Sequence, residues 1–123
     1  MNVTETINIA DGWVEKVNAK DIEGMLELSD HNIELMGPRG SAVGHDTLKQ
    51  WAEESGIRLT TVTRYAKGDK VVFEQEGTWE DQNGQVTVFT FMEIKNGKVV
   101  RISRFDTLDD AFGDSGLKDE DKV

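Results

Sequence analysis

The chain has 123 residues, a formal net charge of -10 and a hydrophobic fraction of 37%. This length suits one domain, and the hydrophobic fraction is typical of a globular protein rather than a disordered one. The acidic charge argues against nucleic acid and anionic membranes as partners, because both bind clustered Lys and Arg side chains. The lack of cysteine excludes disulfides, thiolate metal sites and a cysteine nucleophile.

The first residues have neither the basic start nor the apolar run of a secretory segment, and no stretch is apolar enough to cross a bilayer. We therefore expect a cytoplasmic protein that does not bind membranes. His31 and His45 are the two histidines, and their spacing is not that of a metal-ligand pair, so no metal is expected. No cofactor is expected either, because the glycine-containing turn at residues 37–40 does not open a helix as a phosphate-binding loop does.

The first half of the chain is predicted to contain three helices and one strand. Apolar side chains recur at three- and four-residue steps over residues 4–18, which is a helical period, and Thr4 is a suitable N-cap. A short helix over residues 21–28 follows. Alternation predicts a strand at 32–36, and glycines bound the third helix over 44–56.

The second half of the chain is predicted to be a series of strands. Asn-Gly pairs at 83–84 and 96–97 are strong hairpin signals, so the last three strands should be consecutive and antiparallel. The four predicted strands cover residues 57–65, 71–79, 85–94 and 99–106.

The order helix, helix, strand, helix and then four strands predicts an α+β domain. Three helices gathered against one face of a curved antiparallel sheet would leave a cavity between helices and sheet. We assign this domain to residues 1–112. Residues 113–123 are mainly acidic with few opposing lysines, which predicts a solvated, mobile tail.

Four segments resemble the nuclear transport factor 2-like superfamily: residues 13–22 (WVEKVNAKDI), 32–35 (NIEL), 44–48 (GHDTL) and 96–100 (NGKVV). This superfamily includes ketosteroid isomerase, limonene-epoxide hydrolase, scytalone dehydratase and the SnoaL-like polyketide cyclases. The resemblance covers residues 4–112 and implies a cone-shaped, cystatin-like fold whose curved antiparallel sheet encloses a ligand cavity. The scaffold hosts several reactions and also plain binding modules, so the resemblance implies a fold more strongly than an activity.

The resemblance also allows a test for steroid isomerase activity. That enzyme uses a carboxylate base together with a tyrosine and a protonated aspartic acid as hydrogen-bond donors. The resemblance places Leu35 or Met36 at the base position, Trp13 at the tyrosine position and Thr90 near the buried acid. None of these side chains exchanges a proton at neutral pH, so steroid isomerase activity is not expected.

The resemblance implies which strand face lines the cavity. Phe89 and Phe91 then lie on the opposite face, through which members of the superfamily dimerise, and we expect a homodimer formed there. A one-residue slip would reverse this and place Phe89 and Phe91 inside. A cavity lined by aromatic side chains suits a small, flat or apolar molecule. The predicted ligand-binding residues are Trp13, Leu35, Trp51, Phe73, Trp79, Thr90, Met92 and Ile102.

Arg104 and Asp106 are the candidate catalytic residues. In SnoaL-like cyclases a polar or acidic residue near the end of this strand often acts as the base, so the resemblance implies Asp106 as the base of an isomerase, cyclase or hydrolase. The alternative is that Arg104 and Asp106, two positions apart on one strand face, form an ion pair at the cavity rim. The sequence therefore predicts a protein with a hydrophobic cavity that binds small apolar molecules. A non-catalytic domain for dimerisation or protein interaction remains the alternative.

Overall fold

The computed structural model describes residues 2–37, 40–79 and 84–123. The helices within these residues are α1 (Val3–Asn18), α2 (Ile22–Glu27), α3 (His45–Ser55) and α4 (Leu108–Ser115), followed by a 3-10 turn at Asp119–Asp121. The strands are β1 (Ser29–Gly37), β2 (Gly40–Val43), β3 (Ile57–Lys67), β4 (Lys70–Trp79), β5 (Val86–Lys95) and β6 (Lys98–Phe105). The predicted α+β class is confirmed.

The six strands form one sheet in the order β2-β1-β6-β5-β4-β3. Four of the neighbouring pairs are antiparallel, but β1 and β6 run parallel, with Leu35 opposite Ile102. The predicted wholly antiparallel sheet is therefore wrong, and the sheet is mixed. A local turn fixes the direction of a hairpin, whereas no local signal fixes the pairing of strands from opposite ends of the chain.

The hairpin between β5 and β6 forms at the predicted Asn-Gly pair. Asn96 and Gly97 have φ angles of 53° and 77°, as a two-residue turn with two positive φ angles requires. The other predicted pair includes Asn83, which lies outside the described residues. β4 and β5 are nevertheless antiparallel, with Phe73 opposite Thr90.

Helix α1 is capped and fastened by two asparagines. The side chain of Asn2 accepts a hydrogen bond from the Glu5 backbone N–H, so the helix begins one residue before Thr4, the predicted cap. At the other end, Asn18 Nδ2 donates to the Leu59 carbonyl and the Leu59 N–H donates to Asn18 Oδ1, both at 2.8 Å. This paired contact holds the end of α1 against β3.

The sheet buries apolar side chains on both sides. We use "helix face" for the side that carries Phe73 and Met92, which pack with α1, and "outer face" for the side that carries Val72 and Phe91. Phe91 packs beneath α4 on the outer face, so the reversed register with Phe91 inside is excluded.

The C-terminal segment covers the outer face. α4 spans the predicted domain boundary at residue 112, and Leu117 beyond it is only 4% exposed. The Val123 N–H donates to the Arg64 carbonyl at 2.9 Å, which fastens the end of the chain to β3. The structure therefore packs residues that were expected to form a solvated tail. The apolar Leu117, surrounded by acidic residues in the sequence, explains the difference.

Candidate functional site

The helix face is built from side chains at alternate positions of neighbouring strands. Phe73, Thr90 and Arg104 lie opposite one another on β4, β5 and β6. The next row along the sheet contains Val71, Met92, Ile102 and Leu35. The pleat of each strand thus brings to one face the strand residues that the sequence predicted to line a cavity.

Side chains of the protein itself fill the inner part of this face. Trp13, Phe73, Thr90 and Met92 are each at most 2% exposed, and Ile102 is also buried. Four of the residues that were predicted to line or anchor the site are partly exposed, and we term them the open end: Leu35, Trp51, Trp79 and Arg104. Because β1, β4 and β6 run in the same direction, the three strand residues among them approach the same end of the sheet.

Polar groups in the filled part are hydrogen-bonded to one another. Trp13 Nε1 donates to Ser29 Oγ at 3.1 Å. Thr90 Oγ1 donates to Gln75 Oε1 at 2.9 Å, and Gln75 Nε2 donates to Thr61 Oγ1 at 3.2 Å. Such pairing is what buried polar groups require. Trp13 and Thr90 therefore already use their polar groups within the chain.

Arg104 differs from these paired groups. Its guanidinium carbon lies 5.7 Å from the centre of the Trp51 ring, which is itself stacked 6.2 Å from the Trp13 ring. Burial lowers the pKa of the Arg104 guanidinium. Among the described residues, no carboxylate lies within ion-pair distance of Arg104 and none accepts a hydrogen bond from it.

Asp106 is more exposed than Arg104, although both residues line the same surface cleft. It is exposed, because β6 ends at Phe105 and the alternation of the strand no longer directs the next side chain. The alternative of an Arg104–Asp106 ion pair is not observed between these two described residues. A surface cleft of about 270 Å³ is lined by Met36, Gly37, Ser103, Arg104, Phe105, Asp106, Asp110 and Asp114.

A second cleft, of about 260 Å³, lies between the helices and the start of β3. Ile57 in this cleft is opposite Trp79 in the sheet, and Ala52 in the cleft follows Trp51 in α3. Sequence reasoning missed this cleft because its walls come from the ends of four elements. Its lining residues are Val17, Lys20, Ile22, Ala52, Glu53, Ser55, Gly56 and Ile57.

The two histidines are adjacent in space, with ring centres 4.8 Å apart. His45 Nε2 lies 2.9 Å from the Ser29 carbonyl oxygen, which links the start of α3 to β1. In the part of the chain that the structure describes, no group of three or more potential ligand side chains is arranged to hold a metal ion. No helix within the same residues is long and apolar enough to span a membrane.

A family model described as a SnoaL-like domain matches residues 10–102. The chain belongs to this family. The match includes the second half of α1, all of α2 and α3, and the sheet up to the middle of β6. No curated protein sequence matches the chain.

Solved structures share the fold of this SnoaL-like domain. An NTF2-like protein of unknown function from Cytophaga hutchinsonii has a TM-score of 0.76 and 11% identity, covering 87% of this chain and 94% of that chain. A putative ketosteroid isomerase from Kribbella flavida has a TM-score of 0.76 and 19% identity, and the alignment covers 84% of this chain and 78% of that chain. TerC, co-crystallized with polyporic acid, has a TM-score of 0.72 and 20% identity, and the alignment covers 90% of this chain and 97% of that chain. The predicted superfamily is confirmed, and these similarities show the fold alone.

This SnoaL-like domain has no titratable side chain at the predicted base position. Leu35 pairs with Ile102 on the helix face, whereas Met36 is 40% exposed on the other side of β1. Of the two charged side chains that the family resemblance placed on this face, Arg104 and Asp106, the structure places Arg104 beside Trp51.

Proposed function

We propose that this chain binds a small, largely apolar molecule at the open end of the helix face. The observation that carries the proposal is the environment of Trp51. Its ring is backed by Trp13 on the inside, lies next to the Arg104 guanidinium and remains partly exposed. An aromatic face with one polar group beside it is typical of small-molecule sites.

The family supports this proposal. TerC, which shares the fold, was co-crystallized with polyporic acid. Other members of the superfamily are isomerases or cyclases, which also bind small molecules. The filled inner part of the helix face restricts the site in this chain to the open end, because a deeper ligand would have to displace Phe73 or Met92.

Apolar contact alone would give weak binding. A flat ligand that covers about 150 Å² of apolar surface, the area of one aromatic side chain, gains about 4 kcal/mol at about 25 cal/mol per Å². That gain corresponds to a Kd of about 1 mM before the cost of association is subtracted. A polar anchor such as Arg104 is therefore needed for tighter binding.

Trp51→Ala tests the proposal, with Val62→Ala as the control because Val62 is 52% exposed on β3. Thermal unfolding is measured with small aromatic acids and ketones. A ligand at about 100 times its Kd stabilises the folded state by about 2.7 kcal/mol. We expect this stabilisation in wild type and Val62→Ala and its loss in Trp51→Ala. The proposal fails if no compound stabilises the wild type.

Catalysis by Asp106 stays a prediction. Asp106 is exposed and lines the same cleft as Arg104, so a reaction that used its carboxylate would occur at the edge of the sheet. On any ligand that the protein converts, we expect Asp106→Asn to abolish turnover and leave the Kd unchanged. Unchanged turnover would exclude Asp106 as the base.

A non-catalytic interaction domain is the second candidate. The filling of the helix face by Trp13, Phe73, Thr90 and Met92 favours it, because a protein-docking module needs no internal cavity. The two candidates differ in the ligand screen. The interaction domain predicts no specific stabilisation by small molecules.

A further inference from the structure

Arg104 differs from the other arginines that contact the rest of the fold. Arg64 Nε lies 3.0 Å from Asp11 Oδ1, and Arg101 Nη2 lies 3.3 Å from Asp114 Oδ2. The chain carries 24 acidic against 14 basic side chains, so carboxylates are not scarce. Arg104 nevertheless has no carboxylate partner among the described residues, although it is more buried than an ordinary surface arginine.

The geometry points to a carboxylate on the ligand: we propose that Arg104 binds the acidic group of a flat, apolar carboxylic acid whose ring lies against Trp51. This inference rests on the proposed function and names the class of ligand. The established contacts of Arg104 leave its hydrogen-bond donors available. A guanidinium has five N–H donors, and the contact with the Trp51 ring involves the cation rather than those donors.

The side of Arg104 that faces Trp51 suits a carboxylate, whereas Asp106, Asp110 and Asp114 line the cleft that Arg104 shares with Met36 and Ser103 of the outer face. A guanidinium binds a carboxylate through two parallel hydrogen bonds, which gives orientation as well as affinity. Partial burial reduces competition from water, so the ion pair with a ligand is stronger than one at the surface. Asp106 is the nearest acidic residue in sequence, but it is exposed, and burial rather than a neighbouring charge accounts for the lowered pKa of Arg104.

Matched acids and amides test this inference. The probes are 2-naphthoate with 2-naphthamide, and biphenyl-4-carboxylate with biphenyl-4-carboxamide, and the Kd is measured by titration calorimetry. A charged hydrogen bond gives a preference of about 10- to 100-fold. We expect at least one acid to bind wild type more tightly than its amide by this factor.

Arg104→Gln removes the charge, and Arg58→Gln is the matched control because Arg58 is exposed. We expect Arg104→Gln to weaken binding of the acid to the level of the amide while the Kd of the amide is unchanged. Arg58→Gln should retain the full preference. Arg104→Lys should retain part of it, because a lysine keeps the charge but cannot form the two parallel hydrogen bonds.

The outcomes separate this inference from the proposed function. Equal affinity of acid and amide for wild type overturns the carboxylate inference and leaves small-molecule binding intact. A preference for the acid that persists in Arg104→Gln also overturns the carboxylate inference, because a group other than Arg104 then binds the carboxylate. Failure of all four probes to bind wild type overturns the carboxylate inference, whereas the proposed function fails only if the wider screen of aromatic acids and ketones also finds no ligand.

Discussion

At the residue scale, we expect the partly buried Arg104 to lower the stability of the free protein. Removing a guanidinium from water without a partner costs several kcal/mol, whereas a contact with an aromatic ring returns about 0.5 to 2 kcal/mol. Arg104 is only partly buried, and we expect the Trp51 contact to offset part of the cost of that burial. Residues that lower stability in the unbound state are typical of binding sites, where function and stability conflict.

We predict that Arg104→Met stabilises the ligand-free protein by about 1 kcal/mol. Methionine has a similar length, keeps the contact with Trp51 and carries no charge that needs water. Urea denaturation measures the change, and Arg58→Met, at an exposed position, should change the unfolding free energy by less than about 0.5 kcal/mol. A loss of more than about 1 kcal/mol in Arg104→Met would show that Arg104 holds the fold together instead.

The sequence predicted on which side of the sheet Arg104 lies, but not that Arg104 has no carboxylate partner among the described residues. Alternation along β6 grouped Ile102, Arg104 and Asp106 on one face, and the family resemblance assigned that face to the cavity side. The assignment holds for Arg104, but alternation does not extend to Asp106 because the strand ends at Phe105. Whether an arginine finds a carboxylate depends on residues far away in the chain. Arg64, for example, pairs with Asp11 of α1. The sequence pattern contains no local signal for such a contact.

At the element scale, α4 carried recognisable signals that the acidic composition of its region obscured. Thr107 Oγ1 accepts a hydrogen bond from the Asp110 N–H at 3.2 Å, as an N-cap does, and Gly116 ends the helix with a φ of 79°. By contrast, the parallel pairing of β1 and β6 had no local signal. Sequence reasoning thus gave the hairpins, and the mixed sheet required the structure.

We predict that Leu117→Ala lowers the unfolding free energy by about 2 to 3 kcal/mol, although the position is close to the end of the chain. Leu117 is buried against the cluster that contains Tyr65 and Phe91. Lys118→Ala is the adjacent control, because Lys118 is exposed. Thermal or urea unfolding measures both variants. Equal stability of the two would mean that this segment does not pack in solution.

At the scale of the whole molecule, the outer face has consequences for the proposed homodimer. Phe91 is 2% exposed beneath α4, whereas Phe89 is only partly buried. Phe91 is therefore part of the monomer core, so of the two phenylalanines predicted for the interface only Phe89 has appreciable exposed surface to contribute. Glu74 lies opposite Phe89 on the neighbouring strand, so two copies would bring carboxylates close together. Salt should strengthen such a dimer, since it screens their repulsion and that of two chains of net charge -10.

We predict that Phe89→Ser weakens self-association and leaves the melting temperature within a few degrees of wild type. Phe91→Ala should instead lower the unfolding free energy by about 3 to 5 kcal/mol, because it opens a cavity in the outer-face core. Sedimentation equilibrium at low and moderate salt measures the association, and circular dichroism measures the stability. A wild-type chain that is monomeric at every concentration and salt would refute the homodimer. A dimer that Phe89→Ser leaves intact would exclude the predicted interface, because α4 already covers Phe91, the other phenylalanine that was predicted to contribute to it.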